Sequence, residues 1–310
     1  MTLFSSFSTR ANLAEKCVKW AKGPSVTEQQ RCDNAQQMVN EAIKAHPKLK
    51  NRDIEVLLQG SYRNRTNVRK ESDVDVCVLC KDCFFPDYSL TPNTNNTVLG
   101  FNDSSLTFTE LKKEVEEALV TKFGRSHVKK GDKAFNVREN SYRVNADVVP
   151  TFERRLYYYD DNRKLRYGSG TVLESNKDGR PIYNWPEQHY LKGVERHKAT
   201  AGQFKKKARI LKNLCNEMQN QGITSAGKVS SFLLESLVFN CPDEVFTTAH
   251  YDGLRNVIYY LLCATENDTA ALNMMEVNNI KPLFCTTQPW NQQDVNQFLK
   301  SAWNYGGFNQ

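Results

Sequence analysis

The sequence predicts an α+β fold in two lobes, a mixed sheet-and-helix half followed by an all-helical one. Three observations predict it. A long helical stripe stands near the start, valine-rich runs bounded by turn residues occupy the middle, and from about residue 190 the apolar pattern is helical. At 310 residues the chain is long enough for two separate cores. The expected division is 1–185, a core lobe that includes the N-terminal helices, and 186–310, a helical lobe, with a cleft between them.

Residues 9–21 allow a first helix without a strong stripe. Over 25–45 the signal is clear: Ser25 and Glu28 have capping-box spacing, and Ala35, Met38, Val39, Ala42 and Ile43 recur on one face until Pro47. Ile54 to Leu58 is a short apolar run closing on Gly60-Ser61, a strand entering a tight turn. Asp73 to Leu79 reads as a second strand, and 86–104, rich in Pro and Asn, as a loop insertion. Leu111, Val115, Ala118 and Leu119 mark a helix capped near Thr107 or Thr109. Strands follow near 134–138 and 142–149, the second stopped by Pro150. Beyond them lie helices carrying Phe204, Ala208, Leu211, Cys215 and Met218, then 229–239, 251–264 and 292–303.

Charge is unevenly placed. The formal excess is +7, and Tyr190 to Lys212 alone holds eight cations against Glu195. Such a patch suits a local polyanion, a triphosphate or a nucleic-acid backbone, or else a solvated helix face. No apolar run approaches the ~18–20 residues of a membrane span. The first ten residues lack a basic segment backed by an apolar one, so no secretory signal is expected. Nine scattered cysteines, an odd number, suit reduced thiols and a cytoplasmic setting.

The chemistry concentrates in Gly60-Ser61, Asp73-Val74-Asp75 and a later Asp147. Side chains alternate along a strand, so Asp73 and Asp75 share a face. Asp147 shares one with Arg143 and Asn145, opposite Val144, Ala146 and Val148. If the two strands are neighbours, three carboxylates converge. They repel one another unless cations neutralise them, and oxygen donors of this kind suit Mg²⁺ with substrate phosphates. Two such ions about 3.5–4 Å apart can clamp the oxygens of an in-line displacement. Gly60 lets backbone approach a phosphate, and Ser61 adds an N–H and a hydroxyl. The competing reading is that Asp73 and Asp75 are ordinary edge-strand charges.

Gly-Ser, Asp-x-Asp and a distant Asp resemble the nucleotidyltransferase superfamily with a polymerase-β-like core. The run from Gln59 to Val76 is similar to the bacterial cyclic GMP-AMP synthase/DncV-like nucleotidyltransferases (CD-NTases). So are Asp147-Val148-Val149-Pro150, Asn184 to His189, and Phe204 to Leu214 followed by Ser230-Ser231-Phe232, and together they most resemble clade E. The likeness spans roughly residues 25–260; the 83–106 loop and the last fifty residues fall outside it.

That resemblance implies a two-lobed nucleotidyltransferase with a long N-terminal spine helix and a C-terminal helical lobe. It implies that Asp73, Asp75 and Asp147 are catalytic and hold Mg²⁺ or Mn²⁺, two ions, with Asp147 nearest the attacking hydroxyl. Gln59, Gly60 and Ser61 would bind the donor triphosphate, Lys212 its outer phosphates, and Ser231 would add a contact. Phe232 would stack on the donor base where relatives carry Tyr, although a Phe in an apolar helix is also ordinary core. Asn184 would sit in the acceptor pocket, its amide matching the O4/N3–H edge of uracil; the plainer reading is a loop Asn capping a helix. The implied substrates are nucleoside triphosphates, ATP and UTP foremost, with no membrane and no obligatory nucleic acid. The product would be a cyclic dinucleotide or oligonucleotide messenger read by an effector in phage defence.

Two alternatives stay open: transfer to another acceptor (an RNA 3′ end, a small molecule or a protein), and a non-catalytic nucleotide- or RNA-binding scaffold. Cys77, Cys80 and Cys83 have a zinc-like spacing, but Cys77 and Cys80 fall on opposite strand faces. His46, His127, His189, His197 and His250 are dispersed, and Lys129, Lys130, Lys133, Arg138 and Arg143 either flank the cleft or are solvated surface, the favoured reading, although Arg143 shares a face with Asp147.

Overall fold

The computed structural model describes residues 3–68 and 73–308, with side chains from Arg10 onward. Arg69 to Ser72, part of the Gln59–Val76 run, lie outside the described residues. The chain forms two compact units: Ser25–Arg63 with Ser72–Glu187, and Met1–Pro24 with Asn64–Glu71 and Gln188–Gln310. The expected division placed both N-terminal helices with the sheet. Only the second belongs there, because helix α1 (Leu3–Trp20) puts Leu13 and Cys17 into the core of the helical unit.

In the sheet unit, α2 (Val26–Ala45) starts at Ser25, whose side chain and that of Glu28 complete the capping box. Strand β1 (Ile54–Gln59) runs into the short helix α3 (Gly60–Asn64), and β2 (Val74–Asp87) follows. The expected loop at 86–104 is largely irregular, with one helical turn, α4 (Asn96–Leu99), capped by Asn95. Helix α5 (Phe108–Phe123) starts from a Thr107–Glu110 capping box. Then come β3 (Val128–Lys130), β4 (Phe135–Val137), β5 (Ala146–Tyr159), β6 (Leu165–Glu174) and β7 (Pro181–Asn184). The strand order is β1-β2-β5-β4-β3, with β6 on the far half of β5 and β7 outside it. Apolar stripes of α2 (Ala35, Val39, Ile43) and α5 (Leu111, Val115, Leu119) form one core with Val74, Val76, Ala146 and Val148. Asp75 and Asp147, one residue out of phase, turn to the other face.

Pro150 does not stop β5. Asn145 gives its carbonyl to the Val74 N–H at 2.9 Å, so odd-numbered residues bond toward β2 and even-numbered ones toward the opposite edge. There β4 pairs only as far as Val148 and β6 only from Phe152. The missing N–H of Pro150 therefore falls in a gap where no ladder bond is lost.

In the helical unit, α6 (Pro186–Ala199) leads to α7 (Phe204–Asn220), α8 (Ser231–Phe239), α9 (His250–Glu266), α10 (Asp268–Leu272) and α11 (Gln292–Tyr305). The α7 stripe Phe204, Ala208, Leu211, Cys215 and Met218 is fully enclosed, packed with Leu233, Leu237, Val257 and Phe298. No helix among the described residues is long and apolar enough to cross a membrane.

Candidate active site

One row of polar side chains crosses the sheet. Gln59 pairs in register with Asp75, Asp75 with Asp147, Asp147 with Asn136, and Asn136 with Lys129, one residue from each of β1, β2, β5, β4 and β3. Register partners project from the same face, so all five stand on the side opposite the α2/α5 core. Parallel pairing of β2 with β5 sets the two carboxylates side by side, about 4.8 Å apart along the hydrogen-bonding direction. The Asn136 Nδ2 donates to Asp147 Oδ1 at 3.2 Å, fixing that carboxylate's orientation.

Gly60 follows Gln59 at φ +67°, in the left-handed region. A Cβ there would lie 2.0 Å from Asp75 Oδ2, so both the backbone angle and the space demand glycine. The turn thus brings the Gly60 backbone up to the Asp75 carboxylate, with the partly exposed Ser61 next in the chain.

Asp73 is exposed and stands one residue before β2. Among the described residues no group of three His, Cys, Asp or Glu side chains is placed to hold a metal ion. The structure brings Asp75 and Asp147 together on neighbouring strands and leaves Asp73 at the strand's entrance. The donor chemistry, carboxylate and amide oxygens beside a glycine-only turn, suits a hard cation bound with a phosphate.

Lys212, Ser231 and Phe232 lie in the helical unit. Lys212 is 1% exposed; its Nζ donates to Glu235 Oε2 at 3.0 Å and to the Thr66 carbonyl at 3.1 Å. Glu235 also accepts from Thr66 Oγ1 at 2.5 Å and pairs with His189 Nε2 at 3.0 Å. Burial alone would raise the Glu235 carboxyl, but Lys212, His189 and Thr66 outweigh it and hold the group below the usual carboxylate range. Lys212 is therefore placed inside a buried polar cluster, not at the surface as a free phosphate contact.

Its neighbours behave alike. Lys205, Lys207 and Arg209 are buried; Arg209 donates to the Ala21 and Arg65 carbonyls and Lys207 to that of Ala249. Half of the eight cations counted in the basic patch are thus buried, three of them on backbone carbonyls and Lys205 over the Tyr190 ring, 5.9 Å from its centroid. Arg143, expected at the surface, is buried over the Phe123 ring, 4.7 Å from its centroid.

Phe232 is 38% exposed, with ring centroids 5.6 Å from His189 and 5.9 Å from Trp290. A core phenylalanine would be covered; this one is half of an open aromatic pair. Ser231 opens α8, whose N-cap is Ser230. In the sheet unit, Asn184 ends β7 exposed, opposite Thr171 of β6, and its amide makes no hydrogen bond to a described residue, so it caps no helix. Sequence reasoning misses Asn136, Glu235 and Trp290, and favours the surface over the cleft for Lys129. Only Asn136 and Lys129 left a signal, the alternation Phe135-in, Asn136-out and Val128-in, Lys129-out.

The profile described as the cGAS/DncV-like nucleotidyltransferase C-terminal helical domain matches residues 191–307, including most of the last fifty residues. A cyclic dipyrimidine nucleotide synthase CdnE of Legionella pneumophila is 42% identical, covering 93% of this chain and 95% of its own. A cyclic dipurine nucleotide synthase of Elizabethkingia meningoseptica is 34% identical over 95% and 98%. The structure of the Rhodothermus marinus CdnE c-UMP-AMP synthase with Apcpp and Upnpp superposes at a TM-score of 0.80, with 28% identity and 97% of both chains covered. With the glycine turn, the carboxylate pair and the helical unit all present, the chain belongs to the cGAS/DncV-like nucleotidyltransferases and is a nucleotidyltransferase of their cyclic nucleotide synthase kind.

Proposed function

We propose that this chain joins two nucleoside triphosphates into a cyclic dinucleotide, using UTP, with or without ATP. The observation that carries the reading is the Asp75–Asp147 pair in register beside the Gly60-Ser61 turn. Gln59, Gly60 and Ser61 would hold the donor triphosphate, with Ser231 adding a contact and Phe232 stacking on the donor base. Asp75 and Asp147, with Asp73 at the start of the same strand, would hold Mg²⁺ or Mn²⁺, two ions. Bound there, such ions neutralise the triphosphate and make the attacking hydroxyl more acidic.

The acceptor's ribose hydroxyl meets Asp147. Asn136 occupies Oδ1, leaving Oδ2 to accept the hydroxyl's hydrogen bond. The hydroxyl oxygen forms a bond to the donor's α-phosphorus, the bond to the bridging oxygen breaks, and pyrophosphate leaves with its electron pair. A second attack of the same kind closes the ring. The free Asn184 amide offers both a donor and an acceptor, matching the uracil edge, and the 42% identical relative is named for dipyrimidine products. An intracellular messenger read by an effector in phage defence is the setting this reading implies.

The test is incubation with Mg²⁺ or Mn²⁺ and all four ribonucleoside triphosphates, with mass spectrometry of phosphatase-resistant products. A cyclic product containing uridine is expected. Linear products alone, transfer to added RNA, or no pyrophosphate release would overturn the reading.

A further inference from the structure

The polar row does not end at the carboxylates. Beyond Asp147 it continues through Asn136 to Lys129, and there a hollow of about 500 Å³ opens, lined by Lys129, Lys130, Lys133, Asn136 and Asp147 among others. The three lysines are exposed, and none makes a salt bridge to a described residue. Their hairpin is held firmly. Asp132 Oδ1 accepts from Ser175 Oγ and from the Lys177 N–H, both at 2.9 Å, and Asn176 Nδ2 donates to the Gly131 carbonyl at 2.8 Å. Asp132, kept ionised by those bonds and by neighbouring Lys133, lines the hollow together with Asp147, so three lysines face two carboxylates and the hollow carries a net positive charge.

We propose that this hollow holds the polyphosphate tail of the acceptor nucleotide, with Lys129 and Lys133 as its principal contacts. The inference rests on the reading of Asp147 as the residue that meets the acceptor's hydroxyl. The acceptor enters with its own triphosphate, which takes no part in the first bond formed. Two triphosphates close together repel strongly, so the acceptor's tail must be directed away from the donor's. Gly60 stands at the β1 end of the row and Lys129 at the β3 end, with Asp147 between them. From Asp147 to Lys129 is two strand spacings, about 9–10 Å. A nucleoside triphosphate spans that from its ribose hydroxyls to its outer phosphates.

Lysine suits the task better than arginine. After the first bond forms, the tail must leave this pocket so that the same triphosphate can serve as donor for ring closure. Exposed ammonium groups on flexible stems hold it by charge alone and release it, where a bidentate guanidinium would hold on.

The experiment is calorimetric titration of the full chain, with Mg²⁺ present, by a non-hydrolysable α,β-bridged UTP analogue. Wild type should bind two equivalents. In Lys129→Ala/Lys133→Ala one of the two should weaken by roughly tenfold or more while the other is unchanged, and charge reversal to Glu at both positions should abolish it. Both lysines are exposed, so the melting temperature should match wild type. The unphosphorylated nucleoside as ligand should show no difference between wild type and variant. Two unchanged events in the variant would overturn this inference alone. A single event in wild type, with the UTP analogue alone and again after the matching ATP analogue is added, would overturn the two-nucleotide reading and the inference with it. Weakened binding of a short RNA with triphosphate binding intact would assign the hollow to nucleic acid and likewise overturn it.

Discussion

At the scale of single residues, the site depends on one atom that is missing. Any side chain at position 60 must adopt φ +67° and put a Cβ 2.0 Å from Asp75 Oδ2. Left-handed backbone costs a non-glycine residue about 1–2 kcal/mol, too little to unfold the chain, whereas the displaced carboxylate belongs to the reaction centre. Gly60→Ala is therefore expected to lose at least a hundredfold in pyrophosphate release, with melting shifted by only a few degrees. Equal losses of fold and activity would remove the turn from the site. Asp75→Asn keeps the shape and removes a charge beside Asp147, so it should abolish turnover without destabilising the fold. Near-wild-type release would refute the assignment of the carboxylates.

Among elements, α7 shows how a cationic helix becomes a core helix. Lys207, Arg209 and Lys212 end on carbonyls or on Glu235 and Lys205 lies over the Tyr190 ring, and burial pushes Lys207 down to about 8. Removing one member of a buried pair strands the other, typically at ~3–5 kcal/mol, so Lys212→Ala should lower the melting temperature by ten degrees or more. Weakened triphosphate binding with unchanged melting would instead make Lys212 a phosphate ligand. Where α6 meets α7, the His197 imidazole is pushed down to about 4, first by burial and then by Lys205, Arg209 and Lys206. Its folded value lies below the unfolded ~6.5, so this stability is complete above about pH 6.5 and is lost as pH falls toward 4. His197→Gln should flatten the melting-temperature profile across that window, and an unaltered slope would contradict it. In the sheet, β7 is positioned by Gly170 of β6, where a Cβ would meet Trp185 at 2.6 Å and the Asn184 carbonyl at 2.8 Å. Asn184→Ser removes the amide and should shift the product profile toward purines, and Gly170→Ala, by displacing Asn184, should do the same; an unchanged profile in Asn184→Ser would remove Asn184 from the acceptor pocket.

Across the whole molecule, what could be read from sequence is what local chemistry announces. Capping boxes, the α7 stripe, the Gly60 turn and the alternation around Asp75 and Asp147 each carry their own signal. Strands β6 and β7 carried none: Gly168 and Gly170 interrupt β6, and its exposed Tyr167 breaks the alternation. The fate of the cations on α7 was equally hidden, because their acceptors are supplied by Ala21, Arg65 and Thr66, far away in sequence. The same bonds explain why the chain is not two consecutive domains. The helical unit takes α1 and residues around Thr66 from the N-terminal third, so a fragment of residues 186–310 alone would lack the apolar cover of Leu13 and Cys17 and leave Arg209, Lys212 and Glu235 without several of their partners. Buried charges so stranded cost more than the fragment's remaining core can offset, since whole domains are stable by only ~5–15 kcal/mol. The fragment should show no cooperative melt by circular dichroism. Replacing the stranded charges with apolar residues of similar volume (Arg209→Met, Lys212→Met and Glu235→Leu together) should restore part of it, because the penalty lies in the unpaired charges. A fragment that melts cooperatively near the full chain's temperature without those changes would show that α1 and Thr66 contribute nothing essential to the helical unit.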